Sequence, residues 1–381
     1  MRYIDLKSDK VTKPNQKMGE AMKNDIVEDE LFSNNPALNE LEEYTSRLYG
    51  VGSKIHNLEY YLPTKVVTND DLAIELEGFK VDKALRIGIK QRHIAAEDQT
   101  SVDLAYEVGK KILANFDKDK IDYLIFVTET GDYRLPNSAN ILHDRLGLRS
   151  NAGAIDIVQG CTGVPYALNF AKGLIATKTA KNILILFADA YSKIINSKDK
   201  VLRTIFGDAG SGLIVSKSEK EHIHEFVFGT DGSGKDNLII RNGGLRHNFD
   251  SNAEEIVYGS GNVYTHNDLY MNGPGVFNFT NSIVPDLVDD ILNKNKVVRE
   301  DIDMYIFHQA NKSMLEDLRI KSNIPKEKFY CDISDIGNTV SSSIIIALKR
   351  CMDKGLIHTN DKVLLAGFGV GLSWAGTIIE F

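Results

Sequence analysis

The chain has 381 residues, 43% of them hydrophobic and 26% charged, and a net charge of −8. That length supports a sizeable core in one large or two medium domains, and the acidic balance argues against a nucleic-acid surface, which needs a concentrated basic face. The three cysteines are too scattered for a disulfide framework, the opening MRYIDLKSDK is too charged for a secretory signal, and no apolar run approaches the ~18 residues of a membrane span, so a cytoplasmic protein is expected.

Residues 1–53 differ in style from the rest of the chain. They are charged and mostly helical in pattern (PNQKMGEAMKND, NPALNELEEYTSRLYG), and they stop before a fresh strand, KIHNLEYYLP. From about residue 121 strands and helices alternate. IDYLIFVTET reads as a buried strand, SANILHDRLGL as a helix, AGAIDIV as a strand, PYALNFAKGLIATK as a helix and KNILILFADA as a strand. SGLIVSKS and IHEFVFGTD suggest further strands. The later part repeats the texture: PDLVDDILNKN helical, IDMYIFHQ a strand, SMLEDLRIKS and SSSIIIALKRCMDKG helices, then two strands joined through glycines in KVLLAGFGVGLSWAGTIIEF. This predicts an N-terminal arm over 1–53 and two similar α/β halves, 54–228 and 229–381, with a join near 225–235. Residues 229–262, rich in Gly, Asn, Asp and Ser, read as surface loops. Within them GTDGSG lacks both the Lys-Ser/Thr of a phosphate loop and a strand–helix setting, so it reads as a turn.

Four places carry chemistry. Cys161, in IVQGCTGVPYALNF, stands where a strand gives way to a helix, with Gly160 and Gly163 beside it and Pro165 early in the helix. A thiol at a helix N-terminus is expected to gain thiolate character from the dipole and the free N–H groups, which could also hold an oxyanion. A small buried cysteine would fit the same sequence. His308 ends the strand IDMYIF, the usual place for a site residue in an α/β protein, or else it is a capping or core histidine. Asn338 lies in DIGNTVSSSII, where Gly337 permits a tight turn and the serines can cap the following helix. In GFGVGLSW, residues 367–374, the glycines allow close backbone approach to another group or mark a hairpin.

Together these residues resemble the β-ketoacyl-acyl-carrier-protein synthase III family of the thiolase superfamily. The resemblance runs from about residue 54 to 381 and rests on GIKQRHIA (88–95), DIVQGCTGVPYAL (156–168), FGDAGSG (206–212), MNGPGVFNF (271–279), FHQAN (307–311), IGNTVSSSI (336–344) and GFGVGLSWAG (367–376). It implies a thiolase-like fold of two halves layered α/β/α/β/α, here with the extra helical arm. It implies that Cys161 takes an acyl group from a thioester primer, and that His308 and Asn338 hydrogen-bond the thioester carbonyl of a malonyl donor. Decarboxylation then gives an enolate that attacks the acyl-cysteine. The N–H groups of Cys161 and Val370 resemble an oxyanion hole, Phe368 the ring that guides CO₂ departure, and Gln309 and Asn311 the supports of the histidine. Arg86, Met271 and Phe277 resemble substrate-binding residues. The resemblance further implies a homodimer fed by acyl-carrier protein and acyl-coenzyme A or acyl-carrier-protein primers, with no metal or other cofactor. Asp82 stands where the family often has a tryptophan that stacks on the adenine of coenzyme A, and Lys312 and Ser313 stand where it often has a basic residue for the carrier protein. Val370 replaces a glycine. Residues 1–53 instead resemble the N-terminus of low-specificity threonine aldolases, but the rest of that enzyme, including its Schiff-base lysine segment, is not in the sequence. Pyridoxal phosphate is therefore not expected.

The leading expectation is a decarboxylative condensing enzyme, with fatty-acid initiation as the default pathway. One alternative is an acyltransferase on the same scaffold that passes the acyl group from Cys161 to an amine or alcohol. The other is a non-catalytic partner subunit, against which the intact Cys161, His308 and Asn338 count. His222 and His224 in EHIHEF share one face of an expected strand, but zinc needs three or four ligands and none converge in sequence. Cys331 and Cys351 read as packing residues.

Overall fold

The computed structural model describes residues 52–381, so the predicted arm lies outside the described residues, apart from Gly52 and Ser53, which already belong to the first strand. One succession of elements occurs twice. The first half runs β1 (Gly52–Tyr61), α1 (Ser101–Leu113), β2 (Tyr123–Val127), α2 (Ser138–Arg145), β3 (Gly153–Ile157), α3 (Gly163–Ala176), β4 (Asn182–Asp189) and β5 (Ala209–Ser218). The second runs β6 (Val227–Thr230), α4 (Gly273–Lys294), β7 (Met304–Phe307), α5 (Lys312–Lys321), β8 (Phe329–Tyr330), α6 (Ser343–Asp353), β9 (Lys362–Gly369) and β10 (Ser373–Glu380). The sheet orders match strand for strand: β1-β5-β4-β2-β3 and β6-β10-β9-β7-β8. In each, the first two pairings are antiparallel and the last two parallel.

The parallel strands read as continuous apolar runs because both their faces are covered. Along β2, Leu124 and Phe126 join an outer core with Leu104, Ile112 and Leu142 of α1 and α2, while Ile125 and Val127 are buried on the opposite face. Tyr305 and Phe307 of β7 do the same against α4 and α5. Helices α3 and α6 lie between the two sheets, α3 touching strands of both. This is the expected layered α/β/α/β/α fold. Helix α1 begins at an ordinary start signal, where Thr100 and Asp103 form a reciprocal capping box. No helix of the described residues is long and apolar enough to cross a membrane.

Three local expectations are corrected. The serines before α6 do not cap it. Ser342 instead donates to Phe187 O at 3.0 Å, Ser343 meets His308, and Ser341 binds Asp189, so the run cross-links the helix to its surroundings. The stretch holding His222 and His224 is irregular, meeting β10 through an isolated bridge at Ile223 rather than as a strand of the sheet. Cys351 is buried as expected, but Cys331 falls just past β8 and is exposed. The turn reading of GTDGSG holds: Asp231 accepts from Ser233 N at 2.9 Å and caps a short 3₁₀ turn. The loop region beyond it is less superficial than expected, since Leu238 is buried.

The motif GIKQRHIA has a structural use. Arg92 is fully buried and donates to Val67 O at 3.0 Å, Asn69 Oδ1 at 2.7 Å and Thr204 O at 2.9 Å, tying three segments together. An Arg92→Ala substitution would strand those buried acceptors. Urea denaturation is expected to show a loss of about 3 kcal/mol in unfolding free energy. An unchanged denaturation midpoint would contradict this role.

Candidate active site

The carboxyl ends of equivalent strands meet between the halves. The β3–α3 turn delivers Cys161, and the topologically equivalent β8–α6 turn delivers Asn338. The β7–α5 turn delivers His308, whose N–H still pairs with Ala366 O of β9 at 2.8 Å. Site placement at strand carboxyl ends is the general rule for α/β folds.

Backbone contacts hold these turns. Asn338 N donates to Ile205 O at 2.8 Å and Gly207 N to Asn338 O at 3.0 Å, so the FGDAGSG segment of the first half anchors the asparagine of the second. The neighbouring Gly337 has φ +70°, and a β-carbon there would stand 2.8 Å from Ile205 O. The glycines that end β9 pack directly on the turn that carries Cys161. A β-carbon at Gly369 would stand 2.8 Å from both Cβ and Sγ of Cys161, and one at Gly367 would stand 2.5 Å from Cys161 O. The glycines thus make the close backbone approach their sequence allowed. Ser373 Oγ donates to Val370 O at 2.8 Å and meets Thr162 Oγ1 at 3.0 Å, which ties the loop to the start of α3.

Cys161, His308, Asn338, Asn311, Met271, Phe277 and Phe368 line one cavity of ≈ 220 Å³. Asn338 Nδ2 lies 3.4 Å from His308 Nε2. The amide is oriented by its other end, since Oδ1 accepts from Val340 N at 2.9 Å. The imidazole is held at Nδ1 by the Ser343 hydroxyl at 2.8 Å, and that oxygen also receives Gln309 N–H at 3.3 Å. Phe368 packs edge-on to the His308 ring, 5.8 Å between centroids. Gln309 and Asn311 are structural neighbours. Gln309 donates to Phe307 O at 2.7 Å and accepts from Asp332 N at 2.8 Å, bridging β7 to the end of β8; Asn311 caps α5 through Met314 N at 2.9 Å. Arg86 is exposed and does not line this cavity; its carbonyl accepts from Ser313 Oγ at 2.9 Å.

Burial decides the charge states. It drives His308 down to about 3, with a backbone contact to Val340 only partly opposing, so the ring is neutral at ordinary pH. Burial also raises the Cys161 thiol well above its usual range, reinforced by the charges of Glu129 and Asp189. The N–H groups of Cys161 and Val370 face the sulfur and favour thiolate, but they lose to these effects. The expectation that the helix terminus would leave a ready thiolate is therefore corrected: the dipole acts within a turn, while desolvation and two carboxylates act on the same atom.

Sequence reasoning overlooked Glu129, Asp189 and Tyr191, a buried group whose carboxylates act on the Cys161 sulfur. The signal was present: Glu129 stands in the β2–α2 turn, the counterpart of the β7–α5 turn that carries His308. Leu238, Ile205 and Val201 of the cavity wall were also overlooked.

A profile described as 3-oxoacyl-[acyl-carrier-protein] synthase III matches residues 155–232, and its C-terminal counterpart matches 292–381. A protein named beta-ketoacyl-[acyl-carrier-protein] synthase III from Streptococcus uberis is 34% identical over 332 residues, 86% of this chain and 99% of that protein. A 3-oxoacyl-(acyl-carrier-protein) synthase III crystal structure superposes with TM-score 0.84 at 42% identity, covering 87% of this chain and all of that one. A 3-oxoacyl-(acyl-carrier protein) synthase structure from Burkholderia xenovorans superposes with TM-score 0.80 at 32% identity, covering 86% of this chain and 94% of that one.

Because a β-carbon on Gly369 would strike the Cys161 side chain, Gly369→Ala is expected to slow iodoacetamide alkylation of Cys161 about tenfold, a barrier change of roughly 1.4 kcal/mol. The reading is mass gain on the peptide that carries Cys161, since the exposed Cys331 is alkylated as well. An unchanged rate would show that the loop yields without displacing the sulfur.

Proposed function

The chain belongs to the β-ketoacyl-acyl-carrier-protein synthase III family of acyltransferase-type condensing enzymes, and on that premise we propose that Cys161, His308 and Asn338 perform its two half-reactions. In the first, Cys161 Sγ attacks the thioester carbonyl of a primer and becomes acylated. The carbonyl oxygen develops negative charge toward the N–H groups of Cys161 and Val370, which already face the sulfur.

In the second, the thioester carbonyl of a malonyl donor lies between His308 Nε2 and Asn338 Nδ2. The carrying observation is that these two nitrogens are 3.4 Å apart on the wall of the Cys161 cavity, each fixed from its far side. On this reading the Ser343 hydroxyl, which already accepts the Gln309 N–H, donates to Nδ1 of the neutral ring, and the ring proton stands on Nε2. Both nitrogens then donate to one oxygen. As CO₂ leaves, charge collects on that oxygen, and donors already aimed at it need no reorganisation. The enolate carbon attacks the acyl-cysteine and releases a β-ketoacyl thioester. A protonated histidine is not required, which fits its buried, neutral state.

The carrier is an acyl-carrier protein or coenzyme A. A second cavity of ≈ 400 Å³ lined by Lys80, Lys83 and Lys200 shares Val201 and Ile205 with the Cys161 cavity, and its cations suit a phosphate-bearing carrier. Arg86 stands on the helix Val81–Arg86 that contributes to this wall and would add a further cation, whereas Asp82 of the same helix offers no adenine stack. Met271 and Phe277 line the acyl side of the Cys161 cavity. A cytoplasmic homodimer fits the molecule. Strand β3 is a sheet edge, and Val158, 77% exposed, and Leu135, 87% exposed, are apolar side chains beside or near it.

Intact-protein mass spectrometry with acyl-coenzyme A and acyl-carrier-protein donors is expected to show an adduct on Cys161, and added malonyl-carrier protein to release CO₂ and a β-keto product. His308→Ala and Asn338→Ala are each expected to leave acylation largely intact and to slow CO₂ release roughly 10²- to 10³-fold. Equal loss of both steps would contradict the assignment. An acyl-enzyme that persists with malonyl-carrier protein but discharges to an amine or alcohol would instead identify an acyltransferase.

A further inference from the structure

The two half-reactions leave the buried acid cluster beside Cys161 unused. Glu129, from the turn after β2, accepts the Tyr191 hydroxyl, and its carboxylate lies against Gly160, which immediately precedes Cys161. A β-carbon on Gly160 would stand 2.3 Å from Glu129 Oε2, so residue 160 is a glycine because the carboxylate occupies its side-chain space. Tyr191 packs in the same apolar cluster as Cys161 and Val340. Behind them Asp189, at the end of β4, receives Glu129 N at 2.8 Å, Thr130 Oγ1 at 3.1 Å, Thr128 Oγ1 at 3.3 Å and Ser341 N at 3.3 Å, with the Ser341 hydroxyl. The pair is unequal. Asp189 is solvated by protein donors as an anion would be, while Glu129 has few. The titratable groups against Glu129 are Asp189 and Tyr191, the Cys161 thiol feels its charge, and among the described residues no basic side chain is paired with either carboxylate. The internal repeat of the fold places Glu129 in a functional position as well, since the β2–α2 turn that supplies it is the counterpart of the β7–α5 turn that supplies His308.

We propose that Glu129 is the proton acceptor for the Cys161 thiol during acylation, with Tyr191 and Asp189 as positioning residues. This rests on the reading of Cys161 as the acyl acceptor and supplies what that reading lacks, because the buried thiol is not ionised on its own. The S–H bond breaks as the Sγ–acyl bond forms, and the proton passes to the Glu129 carboxylate. The bond from the acyl carbon to the carrier's pantetheine sulfur then breaks, and the same proton returns to that sulfur as the free thiol leaves. No other reactant is consumed. Burial and the Asp189 charge raise Glu129 to about 7, the range in which an acid–base group both accepts and returns a proton efficiently.

The test is single-turnover acylation of the full chain by acetyl- and butyryl-coenzyme A and by the matching carrier-protein thioesters, read as mass gain on Cys161 across the pH range. The acceptor must be ionised, so the wild-type rate is expected to rise with pH through an inflection at about 7. Glu129→Gln is expected to remove that inflection and slow acylation roughly 10²-fold. Tyr191→Phe removes a hydrogen bond that favours the ionised carboxylate, so it should move the inflection to higher pH. A carboxylate that only burdens the thiol electrostatically gives the opposite result, because its removal lowers the thiol pKa. Glu129→Gln acylating as fast as or faster than wild type therefore overturns the proposal. If Glu129→Gln does not fold, Tyr191→Phe decides, and an unmoved inflection overturns it. A wild type that accepts no acyl group from any donor removes the reading of Cys161 itself, a different failure.

Discussion

The site depends on the contact of the β9 glycine backbone with the turn that carries Cys161. Gly367 and Gly369 come from the second half and Cys161 from the first, and no β-carbon fits between them. That contact brings the Val370 N–H to the sulfur and sets how closely the halves approach. A parallel tie runs through Asn338, whose backbone is bound on both sides by the Ile205–Gly207 segment. The cavity is thus a seam between two copies of one succession of elements, and each copy supplies groups the other lacks. Arg92 supports the seam from behind by holding Thr204, just before that segment.

The seam is buried, and burial governs its chemistry. Burial keeps His308 neutral, so that it enters the chemistry without a charge of its own. The same burial holds the Cys161 proton in place and makes two nearby carboxylates expensive to ionise together. Fixed N–H groups are the natural answer to transient charge in such a place. On the proposed reading one set, from Cys161 and Val370, meets charge in acylation, and the other, from His308 and Asn338, meets it in decarboxylation. Glu129 handles the proton that the first step displaces. The buried serines before α6 fit the same logic, each satisfying a polar group that water cannot reach.

The sequence makes some of this plain and conceals the rest for physical reasons. The strand and helix succession is legible because buried parallel strands must be continuously apolar, and the doubling of the fold follows from two such runs. Cys161, His308, Asn338 and the glycine loop are legible because each stands at a strand end with turn residues around it. Glu129 and Asp189 also stand at strand ends, but a carboxylate after a strand is ordinarily a solvated cap, and nothing local tells that the other half of the chain will bury it. The serine run misleads for the same reason, since serine before a helix is a good cap until tertiary donors and acceptors compete for its hydroxyls. The thiol's charge state is invisible because desolvation is a property of the assembled seam. Residues 1–51 lie outside the described structure, and their expected role as an arm stands as a sequence expectation alone.

The central claim is that His308 and Asn338 act on one oxygen, and a double-mutant cycle on CO₂ release from malonyl-carrier protein tests it most directly. The cycle compares His308→Ala, Asn338→Ala and the double variant, all starting from Cys161 already acylated. Donors sharing one developing charge are strongly coupled, so the double variant is predicted to be scarcely slower than either single one. Losses that multiply would mean that the two residues serve separate atoms, and the shared-oxygen account would be wrong.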